Sequence, residues 1–186
     1  MTLQILKQDG RRRGLNADWE EWLNAADRLH QKFRDELDFS PFELHEVGCV
    51  GFLASAAAVA GFVSISEYDI DKNKGSEVED IRPGRADLWI SANHHYYSFE
   101  CKRAYHSATP KNLKDVLELA VRDTKQIPFD ENKYAAALMT AFNRDPERMN
   151  IYLDFAQSSA VDSAYYIGPA EQGGGFLFFK IVEKKQ

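Results

Sequence analysis

The sequence predicts an α/β fold in which helices accompany a central sheet. Some stretches place apolar residues three and four positions apart, as an amphipathic helix does, and others alternate apolar and polar residues, as a half-buried strand does. In chain order the central part predicts helix, three strands, helix and strand, with an extra N-terminal helix before it and a C-terminal hairpin after it. With 186 residues, 44% of them hydrophobic, the chain is expected to form a single domain over residues 1–186.

Two helices are predicted before the first strand. Residues 16–37 carry an apolar stripe at helical spacing that includes two tryptophans, which we expect to contact protein. The second helix is expected over residues 41–60, because Ser40 and Glu43 form a capping-box pattern around a proline at the first helical position. The three arginines at 11–13 could contact phosphates, but an unstructured basic terminus is the more frequent outcome and is expected here.

The strands follow from alternation and from turn residues. Residues 62–70 alternate and predict the first strand, whereas 71–83 are charged and contain glycine, which predicts a loop. Two strands rich in β-forming residues come next, at 85–91 and 96–103, and a tight turn at Asn93 and His94 joins them. The rest of the chain predicts a helix at 110–127, a strand at 134–142, a helix at 146–158, and strands at 164–168 and 176–182.

An even-numbered turn centred on Asn93 and His94 fixes the register of this hairpin. One face then becomes apolar, which suits a core. Its opposed pairs are Leu88 with Phe99, Ile90 with Tyr97, and Ala86 with Cys101.

The other face of the hairpin carries four charged residues. Asp87 falls opposite Glu100, and Arg85 falls opposite Lys102. Opposed carboxylates have Cβ atoms about 4.5–5.5 Å apart and destabilise a sheet unless something compensates their charge. A divalent cation would do so, because hard ions such as Mg²⁺ bind one or two carboxylates together with water. Lys102 points to the same face as Glu100 and could position a metal-bound water. The alternative is a surface hairpin whose charges form solvent-exposed pairs, each worth little.

Asp87 on one strand, with Glu100-Cys101-Lys102 on the next, resembles the signature of the PD-(D/E)XK nuclease superfamily. The predicted order of elements is similar to the αβββαβ core of that superfamily's restriction-endonuclease-like fold. The resemblance covers about residues 40–142, and it implies a mixed central sheet flanked by helices.

The resemblance also implies the members of a metal site. Asp87 and Glu100 would hold Mg²⁺, with Mn²⁺ as a substitute ion, helped by the backbone carbonyl of Cys101. Many superfamily members present an extra acid from their first core helix, and Glu46 is the candidate here, with an exposed helix acid as the equal alternative. Many also carry a Gln or Lys on the helix after the Glu-x-Lys strand, an element that Gln126 resembles.

Charge bears on the substrate. The formal net charge of −6 argues mildly against strong electrostatic attraction to nucleic acid. Between residues 101 and 125, however, six lysines or arginines outnumber three acids, so this segment is locally basic and would suit a phosphodiester. A solvated helix face is the commoner meaning of such a mixture. The expected contacts to substrate phosphates are Arg85, Arg103, Lys111 and Lys114.

The composition limits the compartment. No apolar run is long enough to span a bilayer, and the first residues lack the apolar segment of a secretory signal, so we expect a cytoplasmic protein without membrane association. The two cysteines, Cys49 and Cys101, lie in apolar patterns, which is typical of free buried thiols in a reducing environment.

Two functions therefore stand against each other. The first is a metal-dependent nuclease that hydrolyses phosphodiester bonds in DNA, and cleavage of both strands would favour a homodimer. The second is a non-catalytic interaction or regulatory module on the same fold, which would bind a protein partner, for example in a bacterial defence or toxin-related system. Intact Asp87, Glu100 and Lys102 favour the first.

Overall fold

Seven strands form one mixed sheet in the computed structural model, which describes residues 3–73, 81–105, 109–128, 133–143, 145–169 and 173–182. The strands are β1 (Gln4–Lys7), β2 (Val63–Asn73), β3 (Ile81–Ala92), β4 (His95–Ala104), β5 (Lys133–Phe142), β6 (Ser163–Ile167) and β7 (Gly175–Val182). The helices are α1 (Arg13–Leu37), α2 (Glu46–Val59), α3 (Pro110–Thr124) and α4 (Met149–Gln157). The predicted α/β class is confirmed.

Helices cover both faces of the sheet. On one face α1 and α2 pack against a core that includes Trp19, Trp22, Leu53, Phe99 and Phe179. The indole N–H of Trp22 donates a 2.9 Å hydrogen bond to the carbonyl of Leu53, which ties the two helices together. Both tryptophans are buried, so the expectation that they contact protein is confirmed.

The opposite face is covered by α3 and α4. Leu113 and Leu117 of α3 and Tyr152 and Phe155 of α4 share a core with Met139 of β5. None of the helices in the described part of the chain is long and apolar enough to cross a membrane.

The strand order is β1-β6-β7-β5-β4-β3-β2. β4 and β5 run parallel, with α3 connecting them, and the other neighbouring strands run antiparallel. The elements α2, β2, β3, β4, α3 and β5 follow one another in the predicted order. The predicted C-terminal hairpin is formed by β6 and β7, and β7 pairs with β5, so this hairpin extends the central sheet.

The helix predicted over residues 41–60 is wrong in one respect, because it forms in two pieces. Ser40 and Glu43 make the expected capping box, but it begins only a 3-10 helix at Pro41–Glu43. The imidazole Nδ1 of His45 then accepts a 3.2 Å hydrogen bond from the N–H of Gly48 and begins α2. The second cap interrupts the helix, and it places Glu46 in the first turn of α2.

The expected loop over residues 71–83 is also wrong at both ends. β2 continues to Asn73 and β3 begins at Ile81, so these two strands form a long antiparallel ribbon. Within it Lys72 pairs with Arg82. The sequence does not predict these strand ends, because Asp71, Lys72 and Asn73 are all polar and because Pro83 and Gly84 are typical turn residues. The acids expected in the loop, at 77, 79 and 80, lie outside the described residues.

The basic segment at 11–13 has defined structure, contrary to expectation. β1 pairs with β6 at the edge of the sheet. The guanidinium groups of Arg11 and Arg12 lie 3.1 and 3.4 Å from the carboxylate of Asp9, and Arg13 begins α1. The basic residues are thus held by a nearby acid and by the helix.

Candidate active site

The hairpin of β3 and β4 provides the frame of the candidate site. Asn93 and His94 both adopt positive φ angles, of 46° and 71°, which a two-residue turn of this hand requires. Leu88 pairs with Phe99, and the ladder continues in the predicted register to the turn. The register prediction is confirmed for this half of the hairpin.

β3 becomes irregular at Asp87. Leu88 belongs to the core beneath α1 and α2, whereas Ala86 packs against Ile127 and Ala135 on the opposite face of the sheet. Residues two apart in a regular strand point to the same face. The predicted pairing of Ala86 with the apolar face of the hairpin is therefore wrong, because the strand switches faces at Asp87.

The side chain of Asp87 takes the place of main-chain pairing at this point. The β3–β4 ladder ends at Leu88 and Phe99. Beyond it, Asp87 Oδ2 accepts a 2.6 Å hydrogen bond from the backbone N–H of Cys101. The first acid is thereby fastened to the strand that carries the Glu-x-Lys residues.

Glu100 is buried on the α3 face of β4, where it pairs with Ala137. Lys72 Nζ lies 2.8 Å from Glu100 Oε1, and within the described part of the chain this buried oxygen has no other partner. Burial, together with the nearby Asp87, raises the pKa of Glu100 to about 7 overall, against the opposing effect of Lys72 and Lys102. Ionisation of Glu100 in this position therefore lowers the stability of the fold.

Lys102 lies at the centre of a group of carboxylates. Its Nζ donates a 3.0 Å hydrogen bond to the carbonyl of Cys101. The same atom lies 3.7 Å from Glu46 Oε1 and 3.6 Å from Asp123 Oδ2. Burial lowers the pKa of Lys102, but the surrounding carboxylates, Glu46 foremost, raise it above its usual value overall. Lys102 is therefore a fixed positive charge.

Glu46 reaches this cluster from the start of α2. Its Oε2 accepts a 3.1 Å hydrogen bond from the backbone N–H of Arg103, and its own N–H donates to the hydroxyl of Tyr105 at 3.1 Å. Of the two interpretations left open by the sequence, the contact with Lys102 favours an acid at the site over an isolated surface acid.

Two residues of the cluster escaped sequence reasoning. Asp123 lies in the last turn of α3, and nothing in its neighbourhood distinguishes it from a surface acid. Lys72 lies in the stretch expected to be a loop. No signal in the sequence could have found Lys72, because the apolar-polar alternation of β2 stops at Ile70.

Arg85 does not occupy its expected position opposite Lys102. It neighbours Ala86, which faces α3, and strand alternation therefore turns Arg85 to the other face of the sheet, away from Glu100. Its guanidinium lies 3.4 Å from Glu67 Oε2 and is largely exposed. The misplacement follows from the irregularity of β3.

The remaining sequence candidates lie on β4, on α3 and in the turn that follows α3. Gln126 follows the end of α3 in a turn, where helix was expected, and among the described residues no hydrogen bond joins its side chain to the cluster. The guanidinium of Arg103 lies over the ring of Tyr105, 4.7 Å from its centroid. Lys111 and Lys114 are exposed on α3, about 18 and 14 Å along the helix from Asp123.

The three acids that could hold a metal ion each contact an internal donor. Asp87 is held by one backbone N–H, Glu46 by another, and Glu100 by the ammonium of Lys72. In this arrangement no group of three or more His, Cys, Asp or Glu side chains within the described ranges could hold a metal ion. The donor types nevertheless fit a hard cation, since all of them are oxygens.

Comparison with known proteins yields no match to a family model, to a curated protein or to a solved structure.

Proposed function

We propose that this chain is a metal-dependent nuclease that hydrolyses phosphodiester bonds in DNA. One observation carries the proposal: the side chains of Asp87, Lys102 and Glu46 converge on a three-residue stretch of β4 backbone, beside buried Glu100. They contact the N–H of Cys101 at 2.6 Å, its carbonyl at 3.0 Å, and the N–H of Arg103 at 3.1 Å.

The order of elements supports the assignment to a restriction-endonuclease-like fold. A helix, three antiparallel strands, a helix and a strand parallel to the third occur in succession, and Glu46, Asp87 and the Glu-x-Lys residues lie on the first helix, second strand and third strand. Many PD-(D/E)XK nucleases place their acids on these elements. Burial of Glu100 adds support, because burying a carboxylate costs free energy even when it is paired, and a chemical role would account for its presence.

The proposed ligands of Mg²⁺, or of Mn²⁺ in its place, are Asp87, Glu100, the carbonyl of Cys101 and Glu46. Such an ion, when bound, lowers the pKa of a water ligand and stabilises charge on the attacked phosphate. Lys102 orients the attacking water, because its ammonium is held among the acids and stays charged at neutral pH. The hydrogen bond from the N–H of Cys101 holds the carboxylate of Asp87 in place, and so keeps its distance from Glu100 fixed.

Substrate contacts are proposed on the basic surface beside the cluster. Arg103, Lys111 and Lys114 follow Lys102 in sequence, and the two lysines are exposed on α3. Gln126 adds an amide near the end of that helix. A homodimer would present two such sites to the two strands of a DNA duplex.

The test is cleavage of supercoiled plasmid and of labelled single strands with Mg²⁺ or Mn²⁺. Wild type should cut, and Asp87→Ala should lose activity at least about 100-fold. Asp154→Asn, which removes an exposed carboxylate from α4, should cut as wild type does. Equal cutting by wild type and Asp87→Ala would overturn the assignment of the site.

One observation favours a second function, the non-catalytic interaction module. The ammonium of Lys72 already compensates Glu100, so the acids do not strictly need a metal ion. A module of this kind would bind its protein partner without metal. Calorimetry with Mg²⁺ and Mn²⁺ separates the two functions: binding that disappears in Asp87→Ala supports the nuclease, and no binding by well-folded wild type supports the module.

A further inference from the structure

Lys72 and Glu100 form the most enclosed ion pair of the candidate site. Their charged atoms lie 2.8 Å apart, and the side chains are 13% and 4% exposed. Water screens such a pair poorly, so its attraction is stronger than that of a surface pair. Among the described residues, Glu100 Oε1 has no hydrogen-bond donor besides this ammonium.

The sheet makes room for the lysine. Lys72 lies on β2, and its side chain crosses β3 at Gly84 to reach Glu100 on β4. A Cβ atom built on Gly84 would lie 2.9 Å from Lys72 Cδ, closer than Cβ atoms approach in proteins, and 3.0 Å from its Cγ, which is an unusually tight contact. The absence of a side chain at Gly84 therefore leaves a channel in which the aliphatic part of Lys72 lies.

This position conflicts with a bound divalent ion. An ion on Glu100 would lie close to the ammonium of Lys72, and the two positive charges would repel each other in a poorly solvated place. The lysine stem has several rotatable bonds, so its head can leave the carboxylate at a modest cost.

We propose that Lys72 is a built-in counter-ion of the candidate site. It pairs with Glu100 in the metal-free protein and is displaced when a divalent ion binds. The proposal rests on the proposed metal site. It assigns a regulatory role to Lys72: the lysine compensates the buried carboxylate until metal arrives, and it weakens metal binding by the cost of its own displacement.

The experiment measures Mg²⁺ and Mn²⁺ affinity by calorimetry on the full chain. Lys72→Met keeps the aliphatic stem and removes the charge, and it should bind both ions about tenfold more tightly than wild type. Lys72→Arg keeps the charge and should bind as weakly as wild type or more weakly. Lys32→Met removes an exposed lysine from α1 and should leave affinity unchanged.

The outcomes separate this proposal from the proposed function. Metal binding of equal or lower affinity in Lys72→Met overturns the role of Lys72 and leaves the nuclease standing. Absence of metal binding in both wild type and Lys72→Met overturns both together.

A second measurement uses wild type alone and does not depend on how the variants fold. An amine-reactive reagent, followed by mass spectrometry, should label Lys72 slowly without metal and several-fold faster with saturating Mg²⁺. Exposed Lys32 should react at one rate under both conditions. A labelling rate at Lys72 that does not change with the metal contradicts its displacement.

Discussion

Asp87 Oδ2 accepts a 2.6 Å hydrogen bond from the backbone N–H of Cys101, where the ladder between β3 and β4 has ended. The acid thus substitutes for a strand pair and has a structural role beside its proposed chemical one. Substitutions at Asp87 should separate these two roles.

Asp87→Asn keeps an oxygen that can accept the hydrogen bond of Cys101, whereas Asp87→Ala leaves that N–H without its partner. We expect Asp87→Ala to lower the free energy of unfolding by about 1–3 kcal/mol and Asp87→Asn to lower it less. Both should lose cleavage activity, because neither retains the carboxylate. Urea denaturation and the plasmid assay check the two parts. Equal stability losses in the two variants would contradict the structural role.

Because of Glu100, the free energy of unfolding should fall as the pH rises. Its pKa is raised to about 7 in the folded protein, so its contribution is fully present below the ordinary value of 4.5 and is lost as the pH rises through 7. Glu100→Gln cannot ionise, and it should be more stable than wild type at pH 8, by about 3 kcal/mol. The difference in unfolding free energy between the two proteins should shrink towards pH 5. A variant that is less stable than wild type at pH 8 would show that the pair with Lys72 outweighs the cost of burial.

Because of His30, the free energy of unfolding should fall as the pH drops. Its side chain is buried, its Nε2 lies 3.0 Å from Ser40 Oγ, and burial lowers its pKa to about 4. The stability that it contributes is therefore complete above pH 6.5 and falls as the pH drops towards 4. Wild type should lose about 3 kcal/mol of unfolding free energy over this range through His30 alone. His30→Gln should lack this part of the slope in urea denaturation at stepped pH, and an unchanged slope would contradict the assignment.

Gly84→Ala tests the channel for Lys72 by placing a methyl group in it. The new methyl group would meet the lysine stem, so Lys72 should be pushed from Glu100. We expect a loss of about 1 kcal/mol in unfolding free energy and metal affinity raised towards that of Lys72→Met. Gly51→Ala is the matched control: nothing lies within 4 Å of its new Cβ, and it should stabilise α2 by about 0.5–1 kcal/mol without changing metal affinity. Unchanged affinity in Gly84→Ala would indicate that the stem can shift without releasing Glu100.

The frame of the site could be predicted from the sequence because its causes are local. The turn at Asn93 and His94 and the alternation on either side of it determine the register of β3 and β4 up to Leu88. Strand alternation likewise places Glu100 and Lys102 on one face, because they lie two residues apart on one regular strand.

The rest depends on contacts between distant parts of the chain. A prediction from the sequence assumes that side chains alternate between the two faces along the whole strand. The irregularity of β3 at Asp87 breaks this alternation, and Arg85 therefore lies on the other face. Asp123 and Lys72 belong to the cluster only because α3 and β2 pack where they do. No spacing in the sequence reports a contact of this kind, so both residues resembled ordinary surface charges.

The most direct test of the account is the Mg²⁺-dependent cleavage rate of Lys102→Ala, compared with wild type and with Lys32→Ala. Lys102 is held by three oxygen atoms of the cluster, whereas Lys32 is exposed on α1. We predict that Lys102→Ala cuts plasmid at least about 100-fold more slowly than wild type while still binding Mn²⁺, and that Lys32→Ala cuts at the wild-type rate. Cleavage by Lys102→Ala at the wild-type rate, or no cleavage by well-folded wild type on plasmid or single strands, would contradict it.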